Sequence, residues 1–439
     1  MLSIEQYIER HAQNAPERVA MMLNGEETTY GELHQRTMLR TQHYQGMQRK
    51  GVVIRARCDA DFLISYFAVH VAGAVAVLLP ATATPEQVGR MEKALQGFDF
   101  PEGSADVLFT TGTTGTPKGV VIGTRAIAAS AENIVHGQAY RHDIRFVVPG
   151  QLNHLGCLSK VWATMLAGAT CCLMPKFDFN EFFSLLASCK EMSVGAFLVP
   201  SCIRMLTKFG GKQMEDAAMK LAFIETGGDA LDVPTIADLH KQLPHTRLFN
   251  TYASTETGVV ATFEFTHHQL AGCVGCALPN ARFDITPEGH IRCAGDTLMN
   301  GYLRMGEQTA YEPLTGKSFT TCDCGEIDNQ GRLQFKCRDS DIINTGGFKV
   351  SPQEVEAAAN SFAEVKACIC IATPHPILGQ ALKLLVVADG DVEVNPKDLA
   401  RRLKERLETH QVPLFYEQVE SLALTPNGKI DRKRYLLRQ

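Results

Sequence analysis

Apolar segments of strand length alternate with segments of helix length through the first half of the chain. The pattern predicts buried strands at residues 75–79, 194–199 and 246–250, and helices at residues 61–72 and 126–136. Repeated strand–helix units build mostly parallel sheets that carry helices on their faces. We therefore predict an α/β protein in which a large N-terminal domain contains stacked sheets layered with helices.

Short apolar runs separated by Gly, Pro and Asn replace this alternation from about residue 260 to residue 337. Such runs are typical of hairpins, so we predict a small barrel-like β subdomain there. Helix and strand patterns return over residues 352–439 and predict a small α+β C-terminal domain. A chain of 439 residues is too long for one ordinary core. We predict that the polar junction near residues 338–349 is a linker, which divides the chain into domains 1–338 and 339–439.

Local signals predict where three of the helices begin. Thr29, Thr84 and Ser351 each precede a helical pattern and are predicted N-caps. Pro85 and Pro352 then occupy the first helical position, where proline is well tolerated. For Ser351 the spacing also predicts a capping box.

The composition argues against several classes of protein. Charged residues make up 21% of the chain and the net charge is −5, which disfavours a general nucleic-acid-binding protein. Residues 1–10 place acids within an apolar pattern, so we expect an amphipathic helix and not a signal peptide. No apolar run of the sequence reaches membrane-spanning length. The expected location is the cytoplasm, where the fourteen cysteines stay reduced.

Two close cysteine pairs, Cys273 with Cys276 and Cys322 with Cys324, leave their role open. A lone Cys-x-x-Cys without a second pair or histidine partners is a weak sign of zinc. Free thiols are therefore the favoured interpretation.

Residues 109–120 form a loop rich in threonine and glycine between two apolar runs. Glycines let a backbone approach a ligand closely, and exposed N–H groups, hydroxyls and a lysine can donate to phosphate oxygens. The sequence is not a Walker A loop, because Pro117 precedes the lysine and Gly119 follows it. A hydroxyl-rich surface turn is the alternative. We predict a phosphate-binding loop that uses Thr110, Thr111, Gly112, Thr113, Thr114, Gly115, Thr116 and Lys118.

A second polar segment, residues 250–258, follows a predicted strand. Open α/β sheets bind ligands at the carboxyl ends of their strands, so this segment is a candidate site. Tyr252 offers a ring that can stack on a base, while Thr255 and Glu256 offer oxygens that can hold Mg²⁺ beside phosphates. Taken alone, the segment could also be an ordinary polar turn.

The two segments together resemble the adenylate-forming superfamily, which includes acyl-CoA and aryl-CoA synthetases, the adenylation domains of peptide synthetases, and luciferases. The resemblance implies that Tyr252 stacks on adenine and that Glu256 takes the magnesium ion. The family's glycine between these residues is Ala253 in this chain. The extra methyl group is expected to narrow the entrance of the acyl pocket.

Residues 318–327 resemble the family's Thr-Gly-Asp-Leu-Gly motif, although Cys322 and Cys324 replace the usual Gly and Leu. The resemblance implies that Asp323 accepts hydrogen bonds from both ribose hydroxyls. The alternative for Asp323 alone is a solvated residue in a hairpin turn.

Residues 337–356 resemble the family's linker between the large and small domains. The resemblance implies that Arg338 reaches the ribose and that Ser340 is the hinge. Gly346 and Gly347 occupy the position where the family presents its backbone to the pantetheine channel.

The tetrad Gly-Lys-Ile-Asp near the C-terminus matches the family's catalytic-lysine motif. The resemblance implies that Lys429 enters the active site and bridges the substrate carboxylate and the α-phosphate, stabilising the charge that develops there. A basic C-terminal tail is the alternative.

The implied activity is that of an ATP-dependent carboxylic acid ligase, which forms an acyl-AMP with release of pyrophosphate and then an acyl thioester. Catalytic roles are implied for Lys429, His154 and Glu256. Residues 149–156 resemble a segment of acyl-CoA and aryl-CoA ligases and lack the Asp of amino-acid-activating domains. We therefore expect an aryl or acyl acid without an α-amine. A core histidine is the alternative for His154.

The expected wall of the acyl pocket suits a small aromatic or medium acyl group without choosing between them. Gly228 is placed both on this wall and against the nucleotide. The other residues of the wall are Phe197, Val199, Pro200, Thr226, Gly227 and Ala253.

CoA is the expected thiol acceptor, with ATP and Mg²⁺ as the other cofactors. A carrier-protein phosphopantetheine arm is the alternative, docked on the basic residues Arg432 to Arg434. A non-catalytic nucleotide-binding protein is the alternative from a different class. The identity of the acid and the oligomeric state stay open.

Overall fold

The structure is a computed structural model and describes residues 1–111, 117–138, 140–228, 231, 233–266, 272–305, 308–338, 341–346, 348–390, 393–425 and 430–436. Its helices, in chain order, are α1 (Ile4–Asn14), α2 (Tyr30–Thr41), α3 (Ala60–Val71), α4 (Pro85–Leu95), α5 (Thr124–Gln138), α6 (Leu155–Ala167), α7 (Phe179–Ala187), α8 (Pro200–Phe209), α9 (Gly211–Ala218), α10 (Val233–Gln242), α11 (Pro352–Asn360), α12 (Pro396–Leu403) and α13 (Arg432–Leu436). Single 3₁₀ turns cover Gln42–Tyr44 and Thr409–Gln411.

The strands of the first half are β1 (Val19–Leu23), β2 (Glu26–Thr29), β3 (Gly51–Ala56), β4 (Val75–Pro80), β5 (Ser104–Thr111), β6 (Pro117–Gly123), β7 (Arg145–Pro149), β8 (Thr170–Met174), β9 (Val194–Phe197) and β10 (Leu221–Gly227). Those that follow are β11 (Arg247–Ser254), β12 (Gly258–Glu264), β13 (Cys273–Ala277), β14 (Ala281–Ile285), β15 (His290–Gly295), β16 (Gly301–Arg304), β17 (Ala310–Pro313), β18 (Ser318–Ile327), β19 (Leu333–Arg338), β20 (Ile343–Thr345), β21 (Phe348–Val350), β22 (Val365–His375), β23 (Gly379–Ala388) and β24 (Phe415–Gln418).

The largest sheet combines a parallel part and an antiparallel part. Its order is β14-β15-β18-β19-β13-β12-β11-β10-β9-β7-β8-β1-β2. The strands from β11 to β1 in this order pair in parallel, as the strand–helix alternation predicts. The pairing becomes antiparallel where β11 meets β12. The two kinds of sheet therefore join at a single strand.

A second sheet has the order β17-β16-β6-β5-β4-β3. Two strands of the predicted β subdomain lie in this sheet, because β16 pairs with β6, the strand that follows the predicted phosphate loop, and β17 pairs with β16. Strands β13, β14, β15, β18 and β19 join the largest sheet instead. The local pattern is uniform from about residue 260 to residue 337, but the strands of this region pair with segments that are distant in the sequence. The region is therefore divided between two sheets.

A hydrophobic core fills the space between these two sheets. Leu78 and Leu108 of the second sheet, Phe146 and Val148 of the first, and Trp162 of α6 belong to one buried cluster. Helix α6 is therefore buried between the sheets, as its almost continuous apolar sequence requires.

The third sheet, β21-β20-β23-β22 with β24 beside β23, belongs to the C-terminal part of the chain. Its cores are built from residues between Ile343 and Tyr435. This is consistent with a small α+β domain, and the boundary after Arg338 stays a prediction. No helix among the described residues is long and apolar enough to cross a membrane.

Two of the three predicted helix caps are confirmed. Thr29 accepts a hydrogen bond from the Glu32 N–H, and Thr84 caps α4 in the same way with Pro85 after it. The capping box at Ser351 is wrong, because the Ser351 hydroxyl donates to the Gln353 side chain at 3.0 Å and makes no cap. Pro352 does begin α11.

A buried polar network ties three helices to the second sheet. The His70 ring contacts the Asp106 carboxylate at 2.9 Å and the Glu5 carboxylate at 2.8 Å. The Tyr66 hydroxyl donates to Asp106 at 2.8 Å and accepts from the Trp162 indole at 2.9 Å. Burial lowers the pKa of His70, but the two carboxylates outweigh it and raise the pKa to about 10. The ring is therefore held as a cation within the fold.

This network predicts that the protein becomes less stable as the pH rises above neutrality. Because the folded pKa of His70 is raised, its contribution is complete below the unfolded pKa of about 6.5 and is lost as the pH approaches 10. The free energy of unfolding should fall by up to about 1.4 kcal/mol per pH unit between pH 7 and 8.5 through this group. Urea unfolding across that range measures it.

A His70→Asn variant should be less stable at neutral pH, because the buried Asp106 carboxylate and the half-buried Glu5 carboxylate lose their cation. It should also lack the His70 contribution to the pH slope. His142→Asn, at an exposed position, is the matched control and should keep the wild-type slope. Parallel pH profiles for the wild type and His70→Asn would contradict the prediction.

Candidate active site

The predicted phosphate loop connects two antiparallel strands of the second sheet. Thr110 of β5 pairs with Lys118 of β6, and Thr111 pairs with Pro117. Residues 112–116, which carry most of the predicted phosphate contacts, lie outside the described residues. The strands thus place Thr110, Thr111 and Lys118 together at the base of the loop.

A tyrosine that the sequence analysis missed connects this loop to Glu256. The Lys118 ammonium lies 5.6 Å from the centroid of the Tyr302 ring, within range of a cation–π interaction. The Tyr302 hydroxyl donates to Glu256 Oε1 at 3.4 Å. Burial raises the pKa of Tyr302, as does the nearby Glu256 charge, so the hydroxyl keeps its proton. No local pattern marked Tyr302, because its place depends on β16 pairing with β6.

Glu256 and Thr255 lie in the turn between β11 and β12. Strand β11 extends to Ser254, further than the predicted residue 250, because its last residues pair with β12. Thr255 and Glu256 are half-buried. A half-buried carboxylate that Tyr302 connects to a lysine at the base of the predicted phosphate loop suits a magnesium ion, which prefers oxygen ligands next to phosphates. Among the described residues no group of three His, Cys, Asp or Glu side chains could hold a metal.

Tyr252, Asp323 and Arg338 meet at the other end of the same segment. The Tyr252 hydroxyl donates to Asp323 Oδ2 at 2.9 Å, and Arg338 Nε donates to Asp323 Oδ1 at 2.6 Å. Asp323 and Arg338 are direct cross-strand neighbours on β18 and β19. All three are predicted nucleotide-binding residues from separate motifs, and the structure brings them together.

Asp323 is a buried strand residue and not a solvated turn residue, since it is only 4% exposed. Burial raises the pKa of Tyr252, and the Asp323 charge raises it further. Burial lowers the pKa of Arg338, but Asp323 outweighs this effect and the pKa rises. The cluster therefore joins a charged guanidinium and a neutral phenol to one carboxylate.

The Tyr252 ring is packed into a hydrophobic cluster with Ile291, Cys293 and Leu298, and 6% of the residue is exposed. Stacking of adenine on this ring stays a prediction. The packing fixes the ring beside Asp323, so the hydroxyl acts as a rigid support for the carboxylate.

The residues predicted to line the acyl pocket come from three strand ends and one helix start. Phe197 ends β9, Val199 and Pro200 begin α8, and Gly227 ends β10. Ala253 is exposed near the end of β11. Gly228 follows β10 with a φ of +82°, a conformation that favours glycine.

The side chain of Thr226 lies on the opposite face of β10 from Glu225 and Gly227. Successive side chains of a strand point to opposite faces. Thr226 is buried on the face of Ile224, which packs toward α8 and α10. Gly227 lies on the other face, with Phe197. The role of Thr226 in the acyl pocket stays a prediction.

His154 is the half-buried N-cap residue of α6. A Cβ on the exposed Gly156 would lie 3.5 Å from the Phe197 ring, so the start of this helix borders the Phe197 side of the predicted pocket. The placement is consistent with the predicted role of His154.

A buried ion pair beside Phe197 escaped the sequence analysis. Lys160 Nζ donates to Glu225 Oε1 at 2.6 Å, and the two side chains are 3% and 0% exposed. The ammonium also lies 5.2 Å from the Phe197 ring centroid. The sequence did carry a signal for this pair. Lys160 is a single charge within an apolar helix and Glu225 is a single charge within an apolar strand, and such charges are almost never fully buried unless they are paired.

Three further predictions concern the C-terminal part. Lys429 and Ser340 lie outside the described residues. Arg432 is not part of a free basic face, because it pairs with Glu356 and lies 4.0 Å from Asp341. Arg434 is exposed.

Two family profiles match this chain. Residues 101–303 match AMP-binding enzyme, and residues 354–429 match the AMP-binding enzyme C-terminal domain. The fold is of the α/β class, and both matched descriptions are those of AMP-binding enzymes. The chain belongs to the AMP-binding family of adenylate-forming enzymes, which confirms the resemblance that the motifs indicated.

Curated relatives include the 2-succinylbenzoate–CoA ligases of Staphylococcus aureus strains MSSA476 and MW2. Each is 28% identical to this chain over 341 residues, which are 75% of this chain and 66% of the relative. The chain therefore spans slightly less than two thirds of the length of these relatives.

Solved structures with the same fold include ATP-bound MatB from Rhodopseudomonas palustris. Its TM-score is 0.87 at 21% identity, over 99% of this chain and 98% of that one. The o-succinylbenzoate CoA synthetase of Bacillus subtilis, in complex with its acyl-adenylate intermediate, has a TM-score of 0.81 at 20% identity, over 98% and 97% of the two chains. These similarities confirm the predicted fold class.

The Asp323 cluster predicts that Asp323→Asn weakens the binding of AMP. The change removes a charge that orients Arg338 and that accepts strong hydrogen bonds. Such bonds contribute about 1.5–3 kcal/mol, so the dissociation constant should rise about 10- to 150-fold. Isothermal titration calorimetry with AMP measures the change.

Asp328→Asn is the matched control, because Asp328 lies in the turn of the same β18–β19 hairpin and pairs with Arg332. It should leave the affinity within about twofold. Equal weakening by both variants would indicate damage to the hairpin and would contradict the prediction.

Proposed function

We propose that this protein is an ATP-dependent carboxylic acid ligase that forms an acyl-AMP and then an acyl thioester. One observation carries the proposal: a single short segment contributes to both polar clusters of the site. Tyr252 belongs to the cluster with Asp323 and Arg338, and Glu256 belongs to the one with Tyr302 and Lys118. At about 3.3 Å per residue, four residues span at most about 13 Å. One nucleotide can therefore contact both clusters.

The first cluster suits the nucleoside and the second suits the phosphates. A carboxylate such as Asp323 accepts hydrogen bonds from sugar hydroxyls, with Arg338 beside it. Lys118 supplies positive charge at the base of the threonine-rich loop, where the leaving pyrophosphate would lie. Glu256, oriented by Tyr302, would hold Mg²⁺, which neutralises phosphate charge when bound.

In the proposed first half-reaction a carboxylate oxygen of the acid attacks the α-phosphorus of ATP, and pyrophosphate leaves. Lys429 would contact the carboxylate and the α-phosphate and stabilise the negative charge of the transition state. In the second half-reaction a thiolate attacks the acyl carbonyl, and AMP leaves. Rotation of the small domain about Ser340 would exchange the groups presented to the site.

An aryl or acyl acid without an α-amine is the proposed substrate class. The relatives named 2-succinylbenzoate–CoA ligase support an aromatic acid and CoA as the first candidates to test. CoA is favoured over a carrier protein. Arg432 forms an ion pair with Glu356, and this pairing reduces the positive charge of the basic face on which a carrier protein would dock. A cytoplasmic location is part of the proposal.

The role of Lys429 is tested by measuring the adenylation half-reaction in the absence of a thiol acceptor. Lys429→Ala should lower hydroxylamine-trapped adenylation by about 100-fold or more, the usual cost of removing a group that stabilises transition-state charge. The panel of acids includes 2-succinylbenzoate, other aryl acids, fatty acids and dicarboxylic acids.

Lys404→Ala, at an exposed position, is the control and should retain full activity. Wild-type activity in Lys429→Ala would overturn the assigned mechanism. Failure of the wild type with every acid, while AMP still binds, would favour a non-catalytic nucleotide-binding protein.

The proposed hinge predicts that Ser340→Pro separates the two half-reactions. Proline fixes φ and restricts the preceding residue, so it should hinder the rotation while leaving one domain arrangement accessible. Adenylation should stay within about threefold of the wild type, and thioester formation with CoA should fall at least about tenfold. Ser340→Ala should spare both half-reactions. Equal loss of both in Ser340→Pro would count against rotation at this residue.

A further inference from the structure

The ion pair between Lys160 and Glu225 leaves half of a buried carboxylate without a protein partner. Glu225 Oε1 accepts from Lys160, whereas Glu225 Oε2 has no hydrogen-bond partner within the described part of the chain. The hydroxyl of the buried Tyr140 also has none there. A buried polar atom without a partner costs roughly 1–3 kcal/mol and calls for an explanation.

These two groups lie near each other. Burial raises the pKa of Tyr140, and the charge of Glu225 raises it further. The Tyr140 ring packs against Phe146 and Phe223 at centroid distances of 5.0 and 5.3 Å. Phe223 lies two residues before Glu225 on β10 and therefore on the same face. The Tyr140 hydroxyl is thus an unused donor and Glu225 Oε2 is an unused acceptor, and both lie against the same face of the sheet at neighbouring positions along β10.

The same face leads from this pair to the predicted acyl pocket. Glu225 is the direct neighbour of Phe197 on β9. Gly227, one strand repeat closer to the carboxyl end, faces the same way and has no side chain to cover Glu225. A Cβ there would lie 2.9 Å from the Thr251 carbonyl oxygen, so glycine also permits close strand packing. Gly227 pairs with Thr251, so Ala253 lies further toward the carboxyl ends of the strands than Gly227, and Glu225 lies further from them.

We propose that Glu225 and Tyr140 recognise a hydroxyl group at the far end of the substrate acid. One hydroxyl can donate to Glu225 Oε2 and accept from Tyr140, which would satisfy both atoms. Lys160 holds the carboxylate in place and balances its charge. The inference rests on the proposed ligase function, because it assigns the acyl chain of that reaction to this face.

The arrangement disfavours two other kinds of acid. An apolar acyl end would leave Glu225 Oε2 buried and unpaired, which is costly. A second carboxylate would place a negative charge beside an acceptor-only oxygen, since Lys160 already serves Glu225. A purely structural ion pair is the competing explanation, in which Lys160 and Glu225 only fasten α6 to β10.

The experiment measures ATP–pyrophosphate exchange with matched acids. The pairs are para-hydroxybenzoate with benzoate, and an ω-hydroxyalkanoate with the alkanoate of the same length. An aromatic dicarboxylic acid of similar size completes the set. For each pair the selectivity is the kcat/KM of the hydroxylated acid divided by that of its partner. The wild type should favour the hydroxylated acid at least about tenfold in one or both pairs.

Tyr140→Phe is the decisive variant, because it removes only a hydroxyl that makes no protein hydrogen bond among the described residues. It should lower the selectivity about tenfold through the hydroxylated acid alone, with kcat/KM for the unsubstituted acid unchanged. Tyr416→Phe is the matched control, since the Tyr416 hydroxyl is equally buried and unpartnered in the C-terminal part of the chain. That control should keep the wild-type selectivity.

A double variant, Lys160→Met with Glu225→Leu, removes both charges without leaving one unpaired and should also lose the selectivity. A wild type without preference for the hydroxylated acids, or with preference for the dicarboxylic acid, would overturn the inference and leave the ligase function standing. An equal loss for both acids of a pair in Tyr140→Phe would indicate a structural role and overturn it too. Exchange with none of the acids would remove the proposed function and the inference together.

Discussion

The hydrogen-bonding of strand β11 is the constraint on which the site depends. The strand pairs in parallel with β10 on one side and antiparallel with β12 on the other. The parallel side brings it next to the strand end at Gly227, where an acyl group is expected. On the antiparallel side the chain turns at Glu256, and β12 connects β11 to the antiparallel part of the same sheet, which carries Asp323. One strand therefore borders all three parts of the site.

Charge burial follows a consistent rule in this molecule. Asp323 is buried with two donors, Arg338 and Tyr252, and His70 is buried between two carboxylates. Each arrangement offsets the loss of hydration by direct hydrogen bonds in a medium of low polarity. Glu225 departs from the rule, because only one of its oxygens has a hydrogen-bond partner within the described part of the chain. That departure lies beside the predicted acyl pocket, where a ligand could complete the network.

Sequence reasoning found residues that lie together where each belongs to a short motif. Tyr252, Asp323 and Arg338 come from three different motifs, and both Tyr252 and Arg338 donate to Asp323. It failed where a role depends on distant pairing. Tyr302 reaches Glu256 only because β16 crosses to the second sheet. Ser351 has the right spacing for a cap, yet its hydroxyl turns to a neighbouring side chain.

The sequence by itself determined the α/β class and the family, because backbone chemistry and side-chain type act over a few residues, and the same short motifs predict the phosphate loop and the nucleotide-binding residues. Only the tertiary structure decided that two sheets share the strands after residue 260, and that Lys160 meets Glu225 in the interior. Both outcomes depend on which segments pack together across long stretches of chain. Packing of this kind is chosen by the total burial and hydrogen bonding of the fold, which no local pattern contains.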